Sequence, residues 1–588
     1  MKLNFKGTLN DKLRGFYRSS FKDASGKMRT IATTQMEPAD ARRMFPCFDE
    51  PAYKATFQIT VVIPSDLTAI SNGPIVSTTL DEKSQKLVVT FAETPKMSSY
   101  LVALVVGPFD STQPVTSEGV QVRVWYLAGK PNLGNYARDI AANLLPFYHQ
   151  YFGVHYPEKK LDLVAIPDFE AGAMENLGCI TFRESRLLVD TPTASIHQKM
   201  DVTSVIAHEI AHMWFGDLVT MKWWDDLWLN EAFATWMSHK AVNHLHPEWH
   251  VWEEFNNSRE GAMNTDSLAS SRPIHFAVAN PLQANEMFDE ITYSKGASIL
   301  RMLETYVGED VFQNGVQEYI KAHKFGNAAT SDLWAGISSA SKKNINELMK
   351  EWVSKAGYPL VTVERPGEGK VVLKQSRFFL VGKDDKEQHA ESLWQVPIIA
   401  HNAGGDNTED SYLLTGEEAT WDTGKLSVPF VINKDGNGYF RTHYPQALLK
   451  ELAQHKDKLS VGERFGLLCD QWALAYSGKE PIGEYLDWTA SLKDETDANV
   501  IKHMVWSFYK LYDLVDDKHL PAVSALVRDR LAPIQKKLGW QGTELDPVNT
   551  VLLREQVIVA MGTIGEDKET IEKARKVFAE YQNDRTSV

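Results

Sequence analysis

The first hundred or so residues alternate apolar and polar positions, in runs rich in β-branched side chains. The clearest runs are Ala55-Thr56-Phe57-Gln58-Ile59-Thr60-Val61-Val62-Ile63 and Lys86-Leu87-Val88-Val89-Thr90-Phe91. A period of two puts successive side chains on opposite faces, so both runs predict strands. Turn signals punctuate them at Pro64-Ser65-Asp66 and Ser71-Asn72-Gly73-Pro74.

From about residue 107 the pattern is mixed. Residues 161–166 predict a strand. Residues 202–215 carry Val202, Val205, Ile206, Ile210 and Met213 at helical spacing, and Gly216 follows as a stop. Residues 227–240 and 294–306 predict two further helices. Between 360 and about 446 short strands return, separated by turns such as Asn402-Ala403-Gly404-Gly405-Asp406 and Asn433-Lys434-Asp435-Gly436-Asn437-Gly438, a length suited to a β-sandwich. Residues 447–588 are helical by propensity and pattern, and pairs of helices there can stack as in a solenoid, without a fixed repeat period. The expected fold class is multidomain α+β. It comprises an N-terminal β domain over 1–106, a mixed domain over 107–359, a β-sandwich over 360–446 and an α-helical domain over 447–588.

Composition narrows the function. The chain has 588 residues, 43% hydrophobic and 24% charged, as expected for a globular protein with a large core. Its 62 basic and 77 acidic residues give a net charge of −15, and no dense basic cluster offers a face to nucleic acid. Three cysteines, Cys47, Cys179 and Cys469, are too few for a disulfide framework and suggest a reducing compartment. The start, Met1-Lys2-Leu3-Asn4-Phe5-Lys6-Gly7, lacks an apolar signal core, and no run of 18 apolar residues occurs. The expectation is a cytoplasmic protein with no membrane span.

Candidate chemistry centres on His208-Glu209-Ile210-Ala211-His212. Residues four apart share a helix face, so the two imidazoles can chelate one Zn²⁺ while Glu209 reaches a water beside it. The flanks Val205, Ile206, Met213, Trp214 and Phe215 are apolar, which predicts a buried helix. Two buried histidines beside a buried glutamate are costly without a metal. A third ligand is available from Trp228-Leu229-Asn230-Glu231-Ala232-Phe233-Ala234, where Glu231 again sits among apolar side chains. Taken alone, Glu231 reads as a structural carboxylate near a helix start. Together, two histidines and one glutamate leave a coordination position open, as catalytic zinc sites do.

The H-E-x-x-H motif is followed by Glu231 after 18 intervening residues and preceded by Gly172-Ala173-Met174-Glu175-Asn176. In this order the motifs resemble those of the gluzincin aminopeptidases, of the aminopeptidase N and puromycin-sensitive type. The resemblance implies a thermolysin-like catalytic domain over 107–359 and one Zn²⁺ per chain on His208, His212 and Glu231. It implies that Glu209 is the general base and that Tyr293, in Thr292-Tyr293-Ser294-Lys295, stabilises the tetrahedral intermediate. It further implies that Gly172, Ala173, Met174, Glu175 and Asn176 bind substrate. Within Gln35-Met36-Glu37, Glu37 would be a second anchor for the free amine and Gln35 would line the first side-chain pocket.

The expected substrates are peptides with a free N-terminus. Ala232 stands where the family commonly has glycine. The resemblance also implies that part of both outer domains lies outside this sequence. Two alternatives accompany this reading: a leukotriene-hydrolase-like bifunctional enzyme, and a shortened, inactive peptide-binding protein. The leukotriene branch carries glutamine in place of Glu37 and G-G-M-E-N in place of residues 172–176. A thermolysin-type endopeptidase shares the metal set.

Overall fold

Contacts divide the chain, a computed structural model, into two units: residues 1–247 with 274–354, and residues 248–273 with 355–588. The described residues are 1–23, 25–367, 369–380, 393–404, 408–424, 426, 429–543 and 545–585. The expected turn at 402–406 lies partly outside them.

The first unit opens with two antiparallel sheets. One orders the strands Gly15–Lys22, Met28–Gln35, Leu104–Gly107 and Thr68–Ser71; the other orders Thr60–Pro64, Lys86–Phe91 and Ile75–Asp81. Gly15 pairs with Gln35, which brings the end of the second strand, and Glu37 beyond it, to the rim of the sheet. The strand expected over 55–63 is shorter than its pattern. Only Thr60–Pro64 pairs in the sheet, and Ala55 makes an isolated bridge to Met97. Phe57 instead spends its amide on the Thr94 hydroxyl at 3.0 Å, so the alternating pattern continues past the ladder.

A larger sheet follows, in the order Ala173–Met174, Cys179–Arg183, Lys160–Ile166, Val120–Leu127 and Phe109–Ser111. Lys160–Ile166 runs parallel to both neighbours and is buried on both faces from Leu161 onward. That burial explains its near-continuous apolar sequence. Among the described residues Ala173–Met174 is an edge strand, bonded to Cys179–Arg183 alone. Helices Asn135–Phe152, Ile196–His212, Leu227–Leu245 and Gly296–Val307 belong to the same unit. Among the described residues no helix is long and apolar enough to cross a membrane.

The second unit holds two small sheets. One orders Glu418–Asp422, Lys370–Arg377, Pro359–Gly367 and Arg441–His443, and the other Glu409–Leu414, Val396–Asn402 and Phe430–Val431. Helices run on from Gln446–Gln454 to Lys568–Asn583. Helix Val251–Asp266, from an earlier part of the chain, is built into this unit. Its Glu260 receives both Arg441 Nη atoms, at 2.7 and 3.0 Å, with both side chains nearly inaccessible. Asp470 is a second acidic partner of Arg441, at 3.3 Å.

His503 lies beside this cluster, between Phe465 and Trp506. Burial lowers its pKa from 6.5 to about 4, although Glu260 pulls the other way. Between those values the unfolded chain takes up a proton that the folded chain refuses, so stability is lost as pH falls. The loss is at most about 3 kcal/mol. Urea midpoints at pH 7 and pH 5 should therefore converge in a His503→Phe protein relative to wild type; an unchanged pH dependence would remove His503 as the cause.

Candidate metal centre and active site

Ser195 caps the helix Ile196–His212 by accepting the Gln198 amide at 3.2 Å. The helix begins earlier than its apolar pattern, because Gln198, Lys199 and Asp201 dilute the first turns. It ends at His212, where the chain folds into a turn through Gly216, whose φ is +139°. His208 and His212 project from one face. Their Nε2 atoms lie 2.9 Å apart, and Glu231 Oε2 is 3.2 Å from His208 Nε2 and 3.4 Å from His212 Nε2.

Glu231 is carried by Leu227–Leu245, whose first eight residues are all buried. Asp226 anchors that helix start, accepting from His275 Nδ1 at 3.0 Å and from the Thr330 hydroxyl at 2.5 Å. Ala232 lies directly against Gly296: a Cβ on Gly296 would come within 2.5 Å of the Ala232 methyl. The helix Gly296–Val307 approaches this closely only because residue 296 is glycine. Just before it, Ile291–Lys295 forms a wide π-helical turn that carries Tyr293, whose ring stacks on His208 at 6.0 Å. Single turns of this kind re-aim one side chain without ending the helix.

The outer contacts of the imidazoles fit metal binding. His212 Nδ1 donates to the Phe215 carbonyl at 3.0 Å, which leaves the Nε2 lone pair facing Glu231 and His208. His208 Nδ1 meets the Thr235 hydroxyl at 3.4 Å. Two imidazole nitrogens and one carboxylate oxygen, all within 4.8 Å of one another, match a zinc site with one open position.

Two other groupings have the right elements but the wrong chemistry. His149 accepts the Tyr156 amide at Nε2, so a neutral ring keeps its proton on Nδ1, the atom that faces His155 and Glu118. In the other, of Glu260, Cys469 and His503, both Glu260 oxygens are already taken by Arg441.

A cavity of about 300 Å³ opens on the triad, walled by Gln35, Glu37, Ala173, Met174, Glu175, Glu209 and Tyr293 among others. Glu37, Glu175 and Glu209 each present a buried carboxyl oxygen without a hydrogen-bond partner. Gln35 donates to the Met174 sulfur at 3.3 Å. Gly172 and Asn176 do not line the cavity. Asn176 is fully buried and donates to Thr181 Oγ1 at 3.0 Å, while the Gly172 carbonyl accepts the Arg183 amide. Arg14, Glu170, Asn285 and Phe288 also line the wall and carry no signature in the sequence.

Burial opposes every charge here. It drives Glu37 well above the usual carboxylate range, with Glu175 and Glu231 adding repulsion, and raises Glu209 against the pull of His212. Glu231 is the exception. Burial pushes it up, but His212 and His208 outweigh that and hold it at about 2. A divalent cation would compete directly with these protons. Crowded carboxyls, each with a buried oxygen left unpartnered, make a receptor for positive charge.

Sequence comparisons agree with this geometry. The Peptidase M1 N-terminal domain matches residues 1–101, the Peptidase family M1 domain matches 136–352, and an ERAP1-like C-terminal domain matches 429–588. Aminopeptidase M1 of Arabidopsis thaliana is 38% identical over 607 residues, covering 100% of this chain and 68% of the relative. Aminopeptidase 2 of Candida albicans is 40% identical, covering 98% and 63%. The puromycin-sensitive aminopeptidase of Caenorhabditis elegans is 38% identical, covering 99% and 62%. The chain therefore belongs to peptidase family M1, a family of peptide hydrolases. It spans 62 to 68% of the length of these three relatives.

Proposed function

We propose that this protein is an aminopeptidase that removes the N-terminal residue of peptides, using one zinc ion on His208, His212 and Glu231. The observation that carries the reading is the pairing of a two-nitrogen, one-oxygen metal triad with three carboxyls, each with a buried unpartnered oxygen, on the wall of one cavity. Zinc, when bound, polarises the peptide carbonyl and acidifies a water beside it.

The protein's own groups do the rest. Glu209 takes the proton of the attacking water and returns it to the leaving amine. Its raised proton affinity suits that shuttle. Tyr293 donates from its hydroxyl to the oxyanion as charge develops there. Burial keeps that phenol protonated, with Glu231 adding to the effect. Glu175 and Glu37 accept the substrate ammonium, which fixes the cut one residue from the end. The free side of the edge strand Ala173–Met174 is suited to pairing with an extended peptide backbone.

The test is hydrolysis of fluorogenic amino-acid amides. Activity on free amines, absence of activity on N-acetylated forms, and arrest by a chelator are expected. Equal turnover of blocked and free substrates would instead indicate an endopeptidase. Within the same assay, Glu175→Ala should lower kcat/KM on the order of a hundredfold while zinc content stays unchanged. A parallel loss of zinc would show that Glu175 supports the metal and not the amine.

A further inference from the structure

The turn that follows His212 is gripped from outside the catalytic helices. Within the turn, the amides of Asp217, Leu218 and Val219 donate to the carbonyls of His212, Met213 and Trp214 at 3.0 to 3.2 Å. The same turn supplies the Phe215 carbonyl that receives His212 Nδ1–H. It is tight: a Cβ on Gly216 would come within 3.2 Å of both His212 Nδ1 and the His212 carbonyl.

Lys54, 163 residues away in sequence, donates from Nζ to the Asp217 carbonyl at 3.0 Å and to that of Leu218 at 3.5 Å. Asp217 is 1% exposed, and among the described residues neither of its carboxyl oxygens has a hydrogen-bond partner. Of its charged neighbours, Glu175 and Glu209 oppose a negative charge on it, and His212 and Lys54 favour one. Burial draws the Lys54 pKa down to about 7 while Asp217 pulls it up. An amine this buried is retained against its desolvation cost by what it holds.

We propose that Lys54 is a positioning residue for the metal centre. By holding the carbonyls of Asp217 and Leu218 it fixes the turn whose Phe215 carbonyl orients the His212 ring. The inference rests on the assignment of His208, His212 and Glu231 as zinc ligands. Outer partners of metal-bound histidines commonly set affinity by 10- to 100-fold, and Lys54 acts one bond further out, so its effect falls towards the lower figure.

The test compares the full chain with Lys54→Met and Lys54→Arg proteins. The readouts are zinc affinity of the metal-free proteins by chelator competition, the visible spectrum of the cobalt-substituted forms, and melting without metal. Lys54→Met should bind zinc about tenfold more weakly, with shifted cobalt bands, and Lys54→Arg should restore most of the affinity. If Lys54→Met does not fold, Lys54→Gln, which keeps an uncharged N–H donor group, is judged by the same readouts. Wild-type zinc affinity with an unchanged cobalt spectrum overturns the proposal, whatever the melting temperature. Failure of the unmutated protein to take up zinc would instead overturn the ligand assignment, and this inference with it.

Discussion

Replacing Glu209 with glutamine should lower kcat by roughly a thousandfold or more while leaving zinc bound. The change keeps shape and volume and removes the proton-accepting oxygen. Glu209 lies on the ligand helix between His208 and His212, yet it belongs to none of the close contacts among the three ligand atoms. One of its oxygens is buried at the cavity wall without a partner, so the substitution breaks no hydrogen bond there. Elemental analysis and single-turnover kinetics check the two halves separately. A Glu209→Gln protein that turns over within a few-fold of wild type would refute the base assignment. Loss of zinc would show that the carboxylate helps to hold the metal.

The second large effect is expected at His212. His212→Ala should reduce bound zinc from about one equivalent to under about a tenth and abolish activity with it. This imidazole is the more constrained of the two, 1% exposed and fixed through Nδ1 to the Phe215 carbonyl. Removing it leaves a two-ligand site that cannot close round a tetrahedral ion. Chelated wild-type protein should regain activity when zinc is returned, whereas the variant should not. Retention of a full equivalent of zinc by His212→Ala would mean that the metal sits elsewhere.

The sequence made the triad legible for a geometric reason. A spacing of four on a helix is a statement about direction, and apolar flanks around His208 and Glu231 announce burial before any coordinates exist. The broad architecture was legible likewise, since a period of two gives way to a period of 3.6 along the chain. Local detail was less so. Residues 55–59 keep a strand pattern but lie outside the paired ladder, with the Phe57 amide on the Thr94 hydroxyl and Ala55 in an isolated bridge to Met97. The helix start at Ile196 was hidden by polar residues, although Ser195 carried the capping signal.

Contacts between distant segments left no trace at all. Nothing near Lys54 announces that it reaches the turn at Asp217, and nothing in Thr292-Tyr293-Ser294 announces a π-helical turn. The motif reading also assigned Asn176 to substrate binding. In the structure its amide is bonded to Thr181, which braces the end of the edge strand.

Helix Val251–Asp266 has a consequence for dissecting the molecule. A fragment cut to begin at residue 355 would look complete by order along the chain, yet it would lack Glu260. Arg441 would then keep only Asp470 at 3.3 Å to offset an enclosed guanidinium. Losing one partner from such a pair costs about 3–5 kcal/mol, a large part of what holds an ordinary domain together. The carboxyl-terminal portion is thus not separable by a single cut: to stand alone, it must bring a helix from the middle of the polypeptide with it.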